Sequence, residues 1–277
     1  MNIRNWLQKA IITLHHSDSP KLDAQTILSF AMGKSIAWLY AFDEIIINDD
    51  KLIFLDELLI RRFNGEPLAY VIGQCEFWSL TLKVICDTMI PRYDTEIIVE
   101  QSLNYLSKPS LKILDLGTGT GAIALSIASE RPQCKVFGID CISTVVKNAQ
   151  YNAVNLNISN ATFFLSYWFN NIPQNKFDLI VSNPPYIEVN SPYLKLGDVR
   201  FEPTSALVSD ENGLSDLKAI IKNSFHWLTY DGWLLLEHGW KQGKAVRNIM
   251  QQYGYRKIST IKDYGGNPRV TLGKAPT

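Results

Sequence analysis

The residues best suited to chemistry are Asn183-Pro184-Pro185-Tyr186, which close the apolar run Phe177-Asp178-Leu179-Ile180-Val181-Ser182. Such a run reads as a buried strand. The tetrad therefore falls where strand gives way to loop, the position at which open α/β sheets bind ligands. Two successive prolines fix φ at their own positions and hold the preceding residue extended, so the Asn183 carboxamide projects in one direction. Its oxygen and the neighbouring carbonyls accept N–H hydrogen bonds, and Tyr186 offers a flat face to a planar group. The combination suits a planar, weakly nucleophilic NH2 group. A bare Pro-Pro pair would read as a rigid turn ending a strand. The flanking Asn and Tyr, and a second motif upstream, point to chemistry.

That second motif starts with the short apolar strand Lys112-Ile113-Leu114-Asp115-Leu116, which runs into Gly117-Thr118-Gly119-Thr120-Gly121 and then the helical pattern Ala122, Ile123, Leu125, Ile127, Ala128. Glycines at alternate positions permit positive φ and let a ligand approach the backbone. A further strand, Lys135-Val136-Phe137-Gly138-Ile139, ends in Asp140, nineteen positions beyond Gly121. A carboxylate there can accept both hydroxyls of a ribose. The spacing departs from the G-x-G-x-x-G dinucleotide fingerprint, and a dehydrogenase has no use for the Asn183 loop. Asp115 either faces the charged amino-acid end of the ligand or orients the glycine amides. Trp168 is either an apolar wall for adenine or an ordinary core or hinge tryptophan. Adenosine joined to a zwitterionic amino acid is S-adenosylmethionine, the cofactor expected here, with no metal.

The elements that must position these groups alternate along the chain. Ser143 to Asn155 reads as helix, Ala161 to Leu165 as strand, Leu214 to Leu228 as helix and Trp233 to Glu237 as strand. With the strands already named they predict a mainly parallel sheet of α/β class. Tyr255 to Ile261 and Arg269 to Leu272 read as a terminal hairpin. Upstream, apolar residues recur at helical spacing from Asn2 to Leu14, after Ser19-Pro20, and from Lys51 to Phe63, so residues 1–72 read as a small helical domain. Residues 73–90, with the aromatic and β-branched stretch Glu76 to Val84, read as a hairpin linker, and residues 91–277 as the catalytic domain. Asp94 or Thr95 caps the next helix in this reading, with Arg92 and Glu96 solvated at its start. Glu237-His238 suggests a triad, but no serine or cysteine nucleophile has matching context, so a structural role is expected.

Lys plus Arg and Asp plus Glu both number 27 in the 277 residues, so no global field draws the molecule to nucleic acid or an acidic membrane. Cys75, Cys86, Cys134 and Cys141 lack CxxC spacing and read as reduced thiols. Neither a signal peptide nor a membrane-spanning stretch is evident, and the expected compartment is the cytoplasm. The remaining function classes are an amino-methyltransferase acting on protein, one acting on nucleic acid, and a non-enzymatic nucleotide-binding module.

The chain resembles the HemK/PrmC family, the peptide-chain release factor glutamine methyltransferases. The resemblance rests on Glu66-Pro67-Leu68-Ala69-Tyr70, Glu76-Phe77-Trp78, Ile90-Pro91-Arg92, Asp94-Thr95-Glu96, Asp115 to Gly121, Asn183 to Tyr186, and Gly197-Asp198-Val199-Arg200-Phe201-Glu202-Pro203. The Asn-Pro-Pro-Tyr motif is shared with enzymes that methylate base amino groups; the other segments are specific. The resemblance implies a Rossmann-like class I methyltransferase domain and an N-terminal helical domain that docks the release factor. It implies methylation, on the side-chain amide nitrogen, of the glutamine in the Gly-Gly-Gln motif of bacterial class-one release factors. Carried onto this sequence, Gly117, Thr118, Gly119, Thr120, Gly121, Asp140, Trp168 and Asn183 contact S-adenosylmethionine. Asn183, Pro184, Pro185 and Tyr186 hold the glutamine. Two positions depart from the family pattern: Tyr93 stands where proline is usual, and Tyr167 where aspartate is common.

Overall fold

A computed structural model describes residues 1–106, 108–173 and 176–276. It divides into two compact units, Met1–Gln74 with Lys195–Phe201, and Cys75–Leu194 with Glu202–Thr277.

The smaller unit holds five helices, Ile3–Thr13, Pro20–Met32, Ile36–Ala41, Asp49–Phe63 and Leu68–Ile72. Their starts follow from local side chains. Asn2 accepts the Asn5 N–H at 2.9 Å and Asn48 the Lys51 N–H at 3.0 Å, each satisfying an end donor that the helix cannot. Pro20 opens the second helix, and Gly33, at φ +62°, ends it. Trp6, Ile27, Leu28, Leu39 and Leu55 are wholly buried between them. Asp23, also buried, is paired with Arg62 at 2.6 Å. The Ile36–Ala41 and Leu68–Ile72 helices are too short for a periodicity reading to find.

In the larger unit a hairpin of β1 (Gln74–Phe77) and β2 (Leu80–Lys83) precedes a seven-stranded sheet. The hairpin turns on Trp78 and Ser79, both at positive φ. Phe77 and Leu82 are buried in the main core, so this hairpin belongs to the sheet's packing. The sheet contains β3 (Lys112–Leu116), β4 (Lys135–Asp140), β5 (Ala161–Leu165), β6 (Phe177–Ser182), β7 (Leu228–Glu237), β8 (Arg256–Lys262) and β9 (Pro268–Lys274), in the order β5-β4-β3-β6-β7-β9-β8. All neighbours are parallel except β9, which runs antiparallel to β7 and β8. One face buries Ile123, Leu125, Val136, Leu179 and Val181, the other Leu114, Phe137, Ile180, Leu234 and Leu236. Burial on both faces explains why these strands read as continuous apolar runs.

The strand order reverses between β3 and β6, which makes a crevice at their carboxyl ends. Register decides what stands there. Leu116 is level with Ile139 on one side and Ser182 on the other, and Ser182 is level with Leu236. The next residue on each strand is Gly117, Asp140, Asn183 or Glu237. Four positions spread over more than a hundred residues of sequence thus form one row across the sheet edge.

Candidate active site

The glycine loop begins at the first of these positions. Gly117, Gly119 and Gly121 have φ of +70°, +56° and +85°, values costly for any residue with a Cβ. The Thr118 N–H donates to the Ile139 carbonyl at 2.8 Å, and its hydroxyl to Asp115 at 2.7 Å. Asp115 is buried, and burial pushes its pKa up to about 7 against the opposing Thr118 bond. Of its two sequence readings, this contact favours orienting the loop.

Asp140 closes the loop from the neighbouring strand. One carboxylate oxygen accepts the Gly119 N–H and the other the Ile142 N–H, both at 3.1 Å. Burial raises its pKa, while these amides oppose the shift. Each oxygen retains lone-pair capacity for a further donor. Trp168 stands at positive φ in a turn whose Ser166 hydroxyl donates to the Trp168 carbonyl at 2.9 Å. Its ring lies against Gly117, where a Cβ would meet it at 3.7 Å.

These parts line a cavity of about 330 Å³, the scale of a small-molecule site. Its wall includes Gly117, Thr118, Gly119, Thr120, Asp140, Trp168, Asn183 and Pro185. Gly121 is behind the loop, against Leu125 and Phe163. Pro184 is buried, and Tyr186, half-buried beside the cavity wall, donates its hydroxyl to Glu237 at 3.1 Å. Burial, with Glu237 beside it, keeps that hydroxyl protonated. The Gln242 carboxamide donates to the Tyr186 carbonyl at 3.0 Å and fixes the loop from below.

The family model described as a methyltransferase domain matches residues 107–263, and one described as a PrmC N-terminal domain matches residues 5–73. The release factor glutamine methyltransferase of Salmonella typhimurium is 50% identical over 274 residues, covering 99% of each chain. That of Escherichia coli is 47% identical with the same coverage. The chain belongs to the release factor glutamine methyltransferase family. A solved methyltransferase from Pyrococcus furiosus superposes with a TM-score of 0.57 at 17% identity, over 80% of this chain and all (100%) of that one, a likeness of fold.

As a member of the release factor glutamine methyltransferase family, the chain is a methyltransferase dependent on S-adenosylmethionine. The cavity fits that group. Nothing stands within 4 Å of where a Gly119 Cβ would be, leaving that backbone open to a ligand. Asp140 supplies acceptors, and Ile139, Ile142, Val145 and Trp168 supply apolar wall.

The structure also brings up residues that the sequence reading passed over. Asp87, Thr88 and Met89, after β2, complete the cavity beside Pro91, which the sequence reading quoted only for the resemblance. Thr95, one of the two cap candidates, stands at the N-cap position of the helix Glu96–Tyr105 but makes no side-chain cap bond; its hydroxyl oxygen accepts the Asn183 carboxamide N–H at 3.3 Å. Arg92 and Glu96 are not the solvated residues expected at that helix start. Arg92 pairs with the buried Glu202, and Glu96 accepts the Trp78 N–H at 2.9 Å. Glu237 and His238 are both buried. His238 bonds Thr271 at 2.8 Å and the Gly239 carbonyl at 2.9 Å, a structural position. Glu237 lies behind Asn183, a placement that only the sheet register supplies. Tyr93 and Tyr167, the two departures, are both largely exposed, and Tyr167 lies at the cavity wall.

Proposed function

We propose that this chain transfers a methyl group from S-adenosylmethionine to the side-chain amide nitrogen of the glutamine in the Gly-Gly-Gln motif of bacterial class-one release factors. The observation that carries the reading is a single cavity whose wall joins the glycine loop and Asp140 to Asn183 and Pro185. A donor pocket that ends on an N–H acceptor is what amide methylation requires. The family membership supports the same substrate. An enzyme of the translation apparatus works in the cytoplasm, and among the described residues no helix is long and apolar enough to cross a membrane.

In this mechanism Gly117 to Gly121 cradle the cofactor, Asp140 accepts from its ribose hydroxyls and Trp168 walls its adenine. The bound cofactor supplies an electrophilic methyl group on a sulfonium. An amide nitrogen is a poor nucleophile because its lone pair is delocalised into the carbonyl. The Asn183 side-chain oxygen and the Pro184 carbonyl accept the two substrate N–H bonds and aim the nitrogen at the methyl group. Tyr186, anchored through Glu237, packs on the amide plane. As positive charge develops on nitrogen, the two acceptors stabilise it more than in the ground state. The C–N bond would form as the C–S bond breaks, the sulfonium leaving as the thioether S-adenosylhomocysteine, and the methylated amide then gives its extra proton to solvent. No prior deprotonation is needed. The helical domain docks the release factor.

The test is methyl transfer from labelled S-adenosylmethionine to a purified release factor, beside the same factor with its Gly-Gly-Gln glutamine changed to alanine, and beside bulk RNA and DNA. Label confined to the unaltered factor is expected. Equal label on the altered factor, or label on nucleic acid, would overturn the reading.

A further inference from the structure

An asparagine carboxamide has a donating end and an accepting end of nearly the same shape. To receive substrate N–H bonds, Asn183 must present its oxygen to the substrate and turn its NH2 elsewhere. That side-chain NH2 donates to Thr95 Oγ1 at 3.3 Å. For Thr95 to accept, its own proton must go to another group.

The group beside it is Glu237. The Thr95 hydroxyl lowers the pKa of this carboxyl group, as does the Arg269 guanidinium, although burial outweighs them and pushes it up to about 7. Glu237 is 1% exposed. Its Oε1 accepts from Tyr186 at 3.1 Å, while Oε2 accepts no hydrogen bond within ordinary reach and is buried. An unsatisfied buried carboxylate oxygen is costly, and the Thr95 hydroxyl is the adjacent neutral donor.

Backbone anchors hold the three groups in this order. Ser182 is level with Leu236, which brings Asn183 and Glu237 side by side at the sheet edge. Thr95 is carried by the turn Tyr93–Thr95, whose Asp94 is paired with Arg269 at 3.1 Å. Arg269 thus holds the Thr95 turn while lowering the pKa of Glu237.

We propose that Thr95 and Glu237 are positioning residues that set the polarity of the Asn183 carboxamide. The Asn183 N–H donates to Thr95 in the structure; a Thr95 O–H turned toward the unpartnered Oε2 of Glu237 completes a one-way chain, and the Asn183 oxygen is left facing the substrate. Thr95 is itself part of the cavity wall and Glu237 is not, and in this proposal both act through Asn183. The inference rests on the amide-methylation reading and adds two residues to its machinery.

Full-length Thr95→Val, Thr95→Ser and Glu237→Gln enzymes test it, through release factor kcat and KM and through S-adenosylmethionine Kd by calorimetry. Valine keeps the shape and removes the hydroxyl; kcat should fall about 10- to 100-fold with Kd within about threefold of wild type. Serine restores the hydroxyl and should return kcat to within about threefold. In Glu237→Gln the Tyr186 hydroxyl, which donates to Oε1, holds the one remaining acceptor oxygen and the new NH2 faces Thr95, so kcat should fall as in Thr95→Val. Wild-type kcat in Thr95→Val, a Thr95→Ser enzyme as slow as Thr95→Val, or losses shared equally by cofactor Kd would each overturn the proposal. If Thr95→Val does not fold, Glu237→Gln decides, with undiminished kcat counting against the proposal. A wild-type enzyme that leaves the factor unlabelled would instead overturn the substrate reading, so the two failures are distinct.

Discussion

The Gly119 backbone N–H and the Asp140 carboxylate are hydrogen-bonded at 3.1 Å across the carboxyl ends of two neighbouring strands. One carboxylate thereby does two things. It fixes the loop at the cavity, and it keeps acceptor capacity there for a further donor, which the proposed mechanism assigns to a ribose. Removing it should cost affinity through both routes.

Asp140→Ala is therefore expected to weaken S-adenosylmethionine binding by about 10- to 100-fold, the loss of one or two hydrogen bonds to a charged group. Calorimetric titration checks this. An unchanged Kd would remove Asp140 from the cofactor site.

Gly119→Ala and Gly121→Ala separate the two uses of glycine in the loop. Both positions have positive φ, so each substitution should cost roughly 1 kcal/mol or more in backbone strain. At Gly121 the new methyl also meets Leu125 at 3.0 Å and Phe163 at 3.3 Å, whereas at Gly119 it meets nothing within 4 Å. Thermal melts should show the larger loss for Gly121→Ala. Gly119→Ala, which faces the cavity, should lose more cofactor affinity for its smaller loss of stability.

Asn183→Ala removes the acceptor that the mechanism places on the substrate N–H. Turnover should fall about 100-fold or more while cofactor Kd stays within a few-fold, because the donor pocket is left otherwise intact. Equal losses in both would refute the role.

His238 should leave a signature in the dependence of stability on pH. Burial lowers its pKa from 6.5 to about 4, so between those values the unfolded chain binds more protons than the native one. Stability from this group is complete above pH 6.5 and is lost as pH falls through the window toward 4. Comparing denaturant unfolding of wild type and His238→Asn at pH 7 and pH 4.5 isolates it from the buried carboxyls. The wild type should lose stability relative to the variant by on the order of 3 kcal/mol at most. A ring that titrates near 6.5 by NMR would contradict the burial argument.

The parallel strands and the glycine loop were legible because their causes are local. β3, β5 and β6 were read with the bounds they have, since strands buried on both faces must be apolar runs. Alternate glycines marked a backbone that must turn left-handed, as all three do. The Asn-Pro-Pro-Tyr loop was found for the same reason: prolines and a carboxamide impose direction whatever surrounds them. The short helix Ile36–Ala41 left no period to read, and Arg92 and Glu96 looked like surface residues because their partners, Glu202 and Trp78, are remote or face back from a turn.

The sequence by itself determined the parallel strands, the glycine loop and the Asn-Pro-Pro-Tyr loop whose Asn183 carboxamide stands at the cavity wall. Only the tertiary structure decided what stands behind that carboxamide. Thr95 and Glu237 come to Asn183 from 88 positions before it and 54 after it, through parallel register and the Asp94–Arg269 pair. A hydrogen-bond partner carries no periodicity and no propensity, so its identity exists only once the sheet has set the register.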